Sequence, residues 1–255
     1  MKNCAILIPV YRKMNAYEKF SYNTLKDIVH DKDIFIVCGN SFDSSEFIEN
    51  KQCFDDSYFK SLEDYSRLCK SYEFYDRFSD YKYILIYQLD CLIFRDDIDY
   101  WCEQDYDYIG APIVSRNAQW DNAPVVGNGG FSLRKVDYFK SITDPNGDFR
   151  KKYDLYLNFN RKKDTYEKFE DLYFCEFVNS NWLFDVPTIE DSLKFSIDMN
   201  PDIVFNKDRG LPMGCHAYCK NIPFWEKLIY LPEEVKDAAY KEHGEFMKKY
   251  YERQK

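Results

Sequence analysis

The chain has 255 residues, is 45% hydrophobic and 31% charged, and carries a formal net charge of −9. That is the composition of a folded globular protein with room for a sizeable core, and it excludes a partner such as nucleic acid that needs a basic face. No apolar run approaches the ~20 residues of a membrane helix, and the first one, Cys4 to Val10, is too short for a secretory signal; a soluble, cytoplasmic protein is expected, free to rest peripherally on the inner face of a membrane.

In chain order, Ala5 to Val10 (AILIPV) reads as a first buried strand, Ala16 to His30 as a polar helix with Phe20, Leu25 and Ile28 on one face, and Asp33 to Gly39 as a second strand. This β-α-β spacing predicts a right-handed parallel crossover and a nucleotide-binding type of sheet. Ser57 to Phe78 predicts a helix in two pieces, broken near Ser71. Tyr83 to Phe94 (YILIYQLDCLIF) is apolar on both sides of a single aspartate, and its first half has the continuous apolar character of a central strand covered on both faces. Burying an unpaired carboxylate there costs several kcal/mol, and ligands of open α/β sheets collect at strand carboxyl ends. Asp90 is therefore a site residue or, more plainly, the cap of a helix opened by Asp96 and Asp97.

Asp105 to Pro112 predicts a short edge strand. Val125 to Arg134 (VVGNGGFSLR) places three glycines within four positions before an alternating strand. Either the backbone there lies close to something, or a tight turn needs positive φ at one or two glycines; no Gly-Lys-Ser/Thr follows, so this is not a phosphate-binding loop. Lys135 to Lys163 is helix-compatible. Glu170 and Asp171 precede an apolar helical stretch, which taken alone is a capping pattern. Ile189 to Ile197 is a further element, and from Glu226 the chain is a charged C-terminal helix.

The nine cysteines are scattered through apolar runs and odd in number, as reduced core thiols are. Cys215, His216 and Cys219 lack the second pair a structural zinc site requires. Of three histidines, His30 and His243 sit in polar contexts that predict exposure, whereas His216 follows Gly214-Cys215 and predicts a buried, directed ring. With no repeats or linkers, one domain is expected.

Together the β-α-β start, YQLD ending at Asp90, YDYIGAP from Tyr106 to Pro112, GNGGFSLR from Gly127 to Arg134, Glu170-Asp171 and Gly214-Cys-His216 resemble the GT-A glycosyltransferases. More narrowly, they resemble a family of bacterial and viral proteins, named only as a domain of unknown function, that is placed with polysaccharide-synthesis enzymes. The resemblance runs from about Tyr65 to Trp225. It implies an α/β fold of GT-A (Rossmann-like) type, with a mixed, mainly parallel sheet, a nucleotide-binding part over about 1–115, an acceptor-binding part over about 116–225 and a C-terminal helix over about 226–255. It implies an inverting, metal-dependent transfer from a nucleoside-diphosphate sugar to a glycan or lipid-linked glycan acceptor, in surface polysaccharide synthesis.

The resemblance also assigns residues. Asp90 and His216 would hold Mn²⁺ or Mg²⁺; Gln88 departs from the family's Asp-x-Asp and would bind through its carbonyl, through water or to the nucleotide. Pro9, Val10, Tyr11 and Gly39 would hold the nucleotide base, and Asn128, Gly129 and Gly130 would pass close to the donor sugar. Asp171 would be the base and Glu170 the acceptor-orienting group, or the reverse. Trp182 and Trp225 are candidates for stacking on the acceptor. Two other readings stay open: a sugar-phosphate or nucleotidyl transferase on a similar sheet, and a carbohydrate-binding protein that has lost catalysis, for which Gln88 speaks.

Overall fold

Two parallel neighbours, β1 (Lys2–Pro9) and β4 (Tyr81–Tyr87), form the centre of the fold, with Ile6 opposite Leu85. Their apolar runs are buried on both faces because successive side chains alternate. Ile6, Ile8 and Leu85 enter one hydrophobic core, and Ala5, Leu7, Ile84 and Ile86 enter the other. The computed structural model describes residues 1–114, 127–149, 151, 168–179, 184–198 and 200–252.

From β1 the chain crosses through α1 (Ala16–Ile28), whose start is fixed by a capping box between Asn15 and Glu18, into β2 (Asp33–Gly39) and then β3 (Asn50–Phe54). A single 3₁₀ turn (Asp56–Phe59) leads to α2 (Leu62–Cys69) and α3 (Tyr72–Asp76). They are separated at Ser71, whose hydroxyl accepts the Phe74 N–H at 3.2 Å. After β4 come a two-residue strand β5 (Leu92–Ile93), α4 (Ile98–Glu103), the edge strand β6 (Tyr108–Gly110), β7 (Phe131–Lys135) and α5 (Val136–Thr143). Next are α6 (Glu170–Asn179), α7 (Ile189–Phe195), β8 (Ser196–Ile197), β9 (Gly214–Cys215) and the C-terminal α8 (Glu233–Glu252).

The main sheet has the order β3-β2-β1-β4-β7-β6, with β7 antiparallel to both its neighbours. Strands β1 to β3 run out to one side of β1 and β4 returns to the other. The carboxyl ends of β1 and β4 therefore form a topological switch point, where open α/β sheets bind ligands. A second, three-stranded sheet has the order β5-β9-β8.

Most predicted elements stand among the described residues; of the stretch Lys135 to Lys163, α5 ends at Thr143 and residues 152–163 lie outside the described residues, and there are three differences. Asp90 is not a helix cap: β5 intervenes, and α4 starts after Asp97. Strand β3 was not foreseen, because as a sheet edge with the exposed pattern NKQCF it shows no apolar run. The C-terminal helix starts at Glu233 rather than Glu226, just after Pro232, where proline is tolerated as a helix opens. No helix among the described residues is long and apolar enough to cross a membrane.

Candidate active site

At the switch point lies a cleft of about 500 Å³ whose walls include Pro9, Val10 and Tyr11 from the end of β1, Gln88 to Asp90 after β4, Asn128 to Gly130 before β7, Glu170 and Asp171 at the start of α6, and His216 after β9. Residues far apart in sequence meet here because strand pairing delivers them. Tyr87 pairs with Phe131, so the Gln88 N–H reaches the Gly130 carbonyl at 2.9 Å. Ile197 pairs in parallel with Cys215, so Asp198 and His216 leave adjacent strands side by side. The Tyr218 N–H bonds the Asp90 carbonyl at 3.0 Å, tying the His216 loop to the turn after β4.

The geometry centres on His216. Its Nδ1 lies 2.9 Å from Asp198 Oδ1, and its Nε2 lies 3.2 Å from both Gln88 Oε1 and Asp90 Oδ1. Asp90 Oδ1 is buried and accepts no hydrogen bond; His216 is in ion-pair range of it without the alignment of a bond. Burial alone would raise the Asp90 carboxyl, but the His216 ring and Lys220 outweigh it and hold it at about 2. Burial would likewise lower His216, yet Asp90 and Asp198 flank the ring and lift it to about 10. Two carboxylates around one imidazole make a pocket that demands positive charge.

A divalent cation fits this donor set. An orphaned buried carboxylate oxygen, an imidazole nitrogen oriented by a carboxylate on its other side, and an amide oxygen converge on one point. The Asp90 carboxylate, the Cys91 thiol and the His216 ring lie within 4.8 Å of one another. Cys91 is the poor member: burial pushes its thiol well above the usual range, and its Sγ–H donates to the Gly130 carbonyl at 3.2 Å.

The glycines are explained by close approach. None of Gly127, Gly129 and Gly130 has positive φ, so the tight-turn alternative fails. A Cβ on Gly130 would sit 2.2 Å from His216 Nε2, and one on Gly129 2.2 Å from Glu170 Oε1. Asn128 uses its amide inside the site, donating to Asp198 Oδ2 at 3.0 Å and accepting the Gly130 N–H at 3.0 Å.

The two predicted carboxylates of α6 differ. Glu170 is 6% exposed; one oxygen lies 2.9 Å from the buried Arg134 guanidinium and the other accepts from Ser66 Oγ at 3.4 Å. Asp171 has no cation partner among the described residues, and its Oδ1 accepts the Leu172 N–H at 2.7 Å. Burial first, and then the charge of Glu170, lift its carboxyl to about 6. The helix start thus does not hold Asp171 at an ordinary value, as a dipole acting alone would.

Other predicted residues are not brought to the cleft. Gly39 lies away from it, where a Cβ would strike Asp56 Oδ1 at 2.4 Å. Trp225 is fully buried, packed on Phe94 and Phe224 with ring centroids 5.5 and 5.0 Å away, and presents no face to an acceptor. Trp182 lies outside the described residues. Sequence reasoning missed Asp198, Lys220, Arg134 and His243. His30 is exposed as expected, but His243 of α8 is half-buried, packs 5.9 Å from the Tyr17 ring and lines the cleft.

Residues 49–216 match the model of the family described as "Protein of unknown function (DUF5672)", and the chain belongs to that family. No curated protein matches it in sequence. Among solved structures it is similar to mouse xyloside xylosyltransferase 1 in its apo form, at 11% identity over 86% of this chain and 98% of that one, with a TM-score of 0.53. It is similar to the galactosyltransferase LgtC in complex with donor and acceptor sugar analogs, at 12% identity over 91% and 99%, with a TM-score of 0.52. The apo glycosyltransferase GlyE of Streptococcus pneumoniae TIGR4 matches at 13% identity over 85% of this chain, with a TM-score of 0.52; the chain spans about half of that protein, 54%. The fold is that of the GT-A glycosyltransferases.

Proposed function

We propose that the protein is a glycosyltransferase that moves a sugar from a nucleoside diphosphate to a hydroxyl of a glycan or lipid-linked glycan, with inversion and with Mn²⁺ or Mg²⁺ as cofactor. One observation carries this reading: a single cleft at the switch point brings the Asp90, His216 and Gln88 cluster and the free carboxylate of Asp171 onto common walls.

In this reading Tyr11, 64% exposed at the end of β1, offers a ring face to the base beside Pro9 and Val10. Asp90 and His216 hold the cation, Gln88 contributes its carbonyl oxygen, and Asp198 keeps the His216 ring turned so that Nε2 faces the site. The cation, when bound, supplies charge neutralisation for the departing diphosphate. Lys220, close enough to lower the Asp90 carboxyl, adds a cation to the same wall. Gly129 and Gly130, whose missing Cβ atoms admit Glu170 and His216, pass close to the donor sugar. Asp171 takes the proton of the acceptor hydroxyl as its oxygen bonds the anomeric carbon, while the bond from that carbon to the diphosphate oxygen breaks and its electron pair leaves with the diphosphate. The part over about 1–115 serves the nucleotide and that over about 116–225 the acceptor, with α8 adding Glu242 and His243 to the cleft wall.

The test is a panel of nucleotide sugars with acceptor glycans, with and without Mn²⁺, reading nucleoside-diphosphate release and product configuration. Transfer with inversion, lost in EDTA and in Asp90→Ala, is expected. Release of a nucleoside monophosphate or pyrophosphate would assign a sugar-phosphate or nucleotidyl transferase instead. Glycan binding without any turnover would assign the binding protein.

A further inference from the structure

Arg134 is fully buried on β7, and every arm of its guanidinium is engaged. Nε donates to Ser132 Oγ at 3.1 Å, Nη1 to the Tyr75 hydroxyl at 3.0 Å, and Nη2 to Glu170 Oε1 at 2.9 Å and to the Gly129 carbonyl at 3.4 Å. Rings of Tyr108, Phe139 and Phe174 lie 5.5 to 5.8 Å from it. Ser132 Oγ in turn donates to the Gly129 carbonyl at 2.9 Å. One cation therefore joins the glycine stretch on one side to the first turn of α6 on the other.

A buried ion pair adds little net stability over an apolar replacement, so its cost points to a geometric task. Both Glu170 oxygens already have partners inside the protein, Arg134 and Ser66. Its neighbour Asp171 is left facing the cleft without a cation among the described residues. We propose that Arg134 and Glu170 are positioning residues: the pair clamps the start of α6 to Gly129 and so presents Asp171, which has no cation partner among the described residues, over the donor-sugar position. This rests on Asp171 being the base, and it replaces the expectation that Glu170 orients the acceptor. The groups facing Asp171 are Glu170 on its own helix, the Gly129 N–H and Arg134 from the β7 side, and Tyr108 from β6; from α2, Tyr65 and Ser66 act on Glu170. Of these, Glu170 is the group that raises the proton affinity of Asp171 most.

Glu170→Gln and Arg134→Lys test the clamp. The glutamine keeps the shape and an oxygen for Arg134 to bond, so the fold should persist. Carbon-13 carboxyl NMR of the nucleotide-free protein, with Asp171→Asn to assign the signal, reads the Asp171 titration without any need for turnover. In Glu170→Gln the midpoint should fall from about 6 by about one pH unit or more, and the acid limb of kcat should move with it. Arg134→Lys keeps the charge but loses the fork, so kcat should fall about tenfold or more through misplacement with the donor KM unchanged. An unmoved Asp171 midpoint in Glu170→Gln, or an unchanged kcat in Arg134→Lys, would reduce the pair to a structural ion pair and overturn the proposal. An Asp171 midpoint displaced in Arg134→Lys, where no charge is removed, in a protein that turns over no nucleotide sugar would uphold the clamp while the transferase reading falls.

Discussion

Replacing Asp171 by asparagine should make the protein more stable and nearly inactive, and the stability gain should depend on pH in a defined way. The Asp171 carboxyl titrates at about 6 in the folded protein against an ordinary 3.8, so folding opposes its ionisation. Below pH 3.8 the group is protonated in both states and costs nothing. As the pH rises through 6 the unfolded chain already carries the charge that the folded one resists, and stability is lost. The full difference corresponds to about 3 kcal/mol, reduced toward about 2 by the water that reaches a half-buried group. Asparagine keeps an oxygen for the Leu172 N–H and carries no charge. Asp171→Asn should therefore melt about 5–10 °C above wild type at pH 8, with the gain closing to nothing near pH 4. Its transfer rate should fall about 10²–10⁴-fold with nucleotide affinity retained. Calorimetry across pH 4–8 beside a product assay measures both. A melting difference flat with pH would refute the strained carboxylate, and near-normal turnover would remove Asp171 as the base.

Asp198→Asn should leave the fold intact but weaken the site about 10–100-fold for Mn²⁺, seen as a shifted Mn²⁺ titration of the UDP- or GDP-dependent melting point. Gly130→Ala should abolish that metal-dependent stabilisation, because the new methyl would stand 2.2 Å from His216 Nε2; a normal Mn²⁺ response would show that the ring can move aside. Trp225→Ala should cost about 3–5 kcal/mol of stability in chemical denaturation while leaving the acceptor KM of the residual folded enzyme unchanged.

The parts of this site that were legible in the sequence are those where one residue contradicts its surroundings. Asp90 stands out because a carboxylate interrupts an apolar strand, the glycines because three crowd four positions, and His216 because it follows a glycine inside an apolar run. Asp198 was illegible for the opposite reason. It follows Phe195-Ser196-Ile197 as an ordinary polar residue after a short strand, and only the parallel pairing of Ile197 with Cys215 sets it beside His216. Arg134 gave no signal either: at the end of an alternating strand an arginine predicts exposure, and its burial depends on Glu170 and Tyr75 arriving from other elements. Trp225, a candidate for stacking on the acceptor, instead fills the core beside Phe94 and Phe224.

Asp198 also bears on the residue that most weakened the functional reading. In the Asp-x-Asp pattern that the chain resembles, two carboxylates share the strand end, and Gln88 removes one of them. The structure places a second carboxylate on the far side of the same ring, 2.9 Å from His216 Nδ1, and fixes it there through the Asn128 amide at 3.0 Å. The negative charge around the site is then Asp90 and Asp198, equal to that of a two-carboxylate strand end, and a neutral imidazole between them would leave it matched to one divalent cation. An acid at position 88 would add a third negative charge 3.2 Å from His216 Nε2, in a pocket where Asp90 Oδ1 already accepts no hydrogen bond, and like charges buried together cannot all stay ionised. In the proposed reading, Gln88 is compatible with a cation site whose second carboxylate is Asp198.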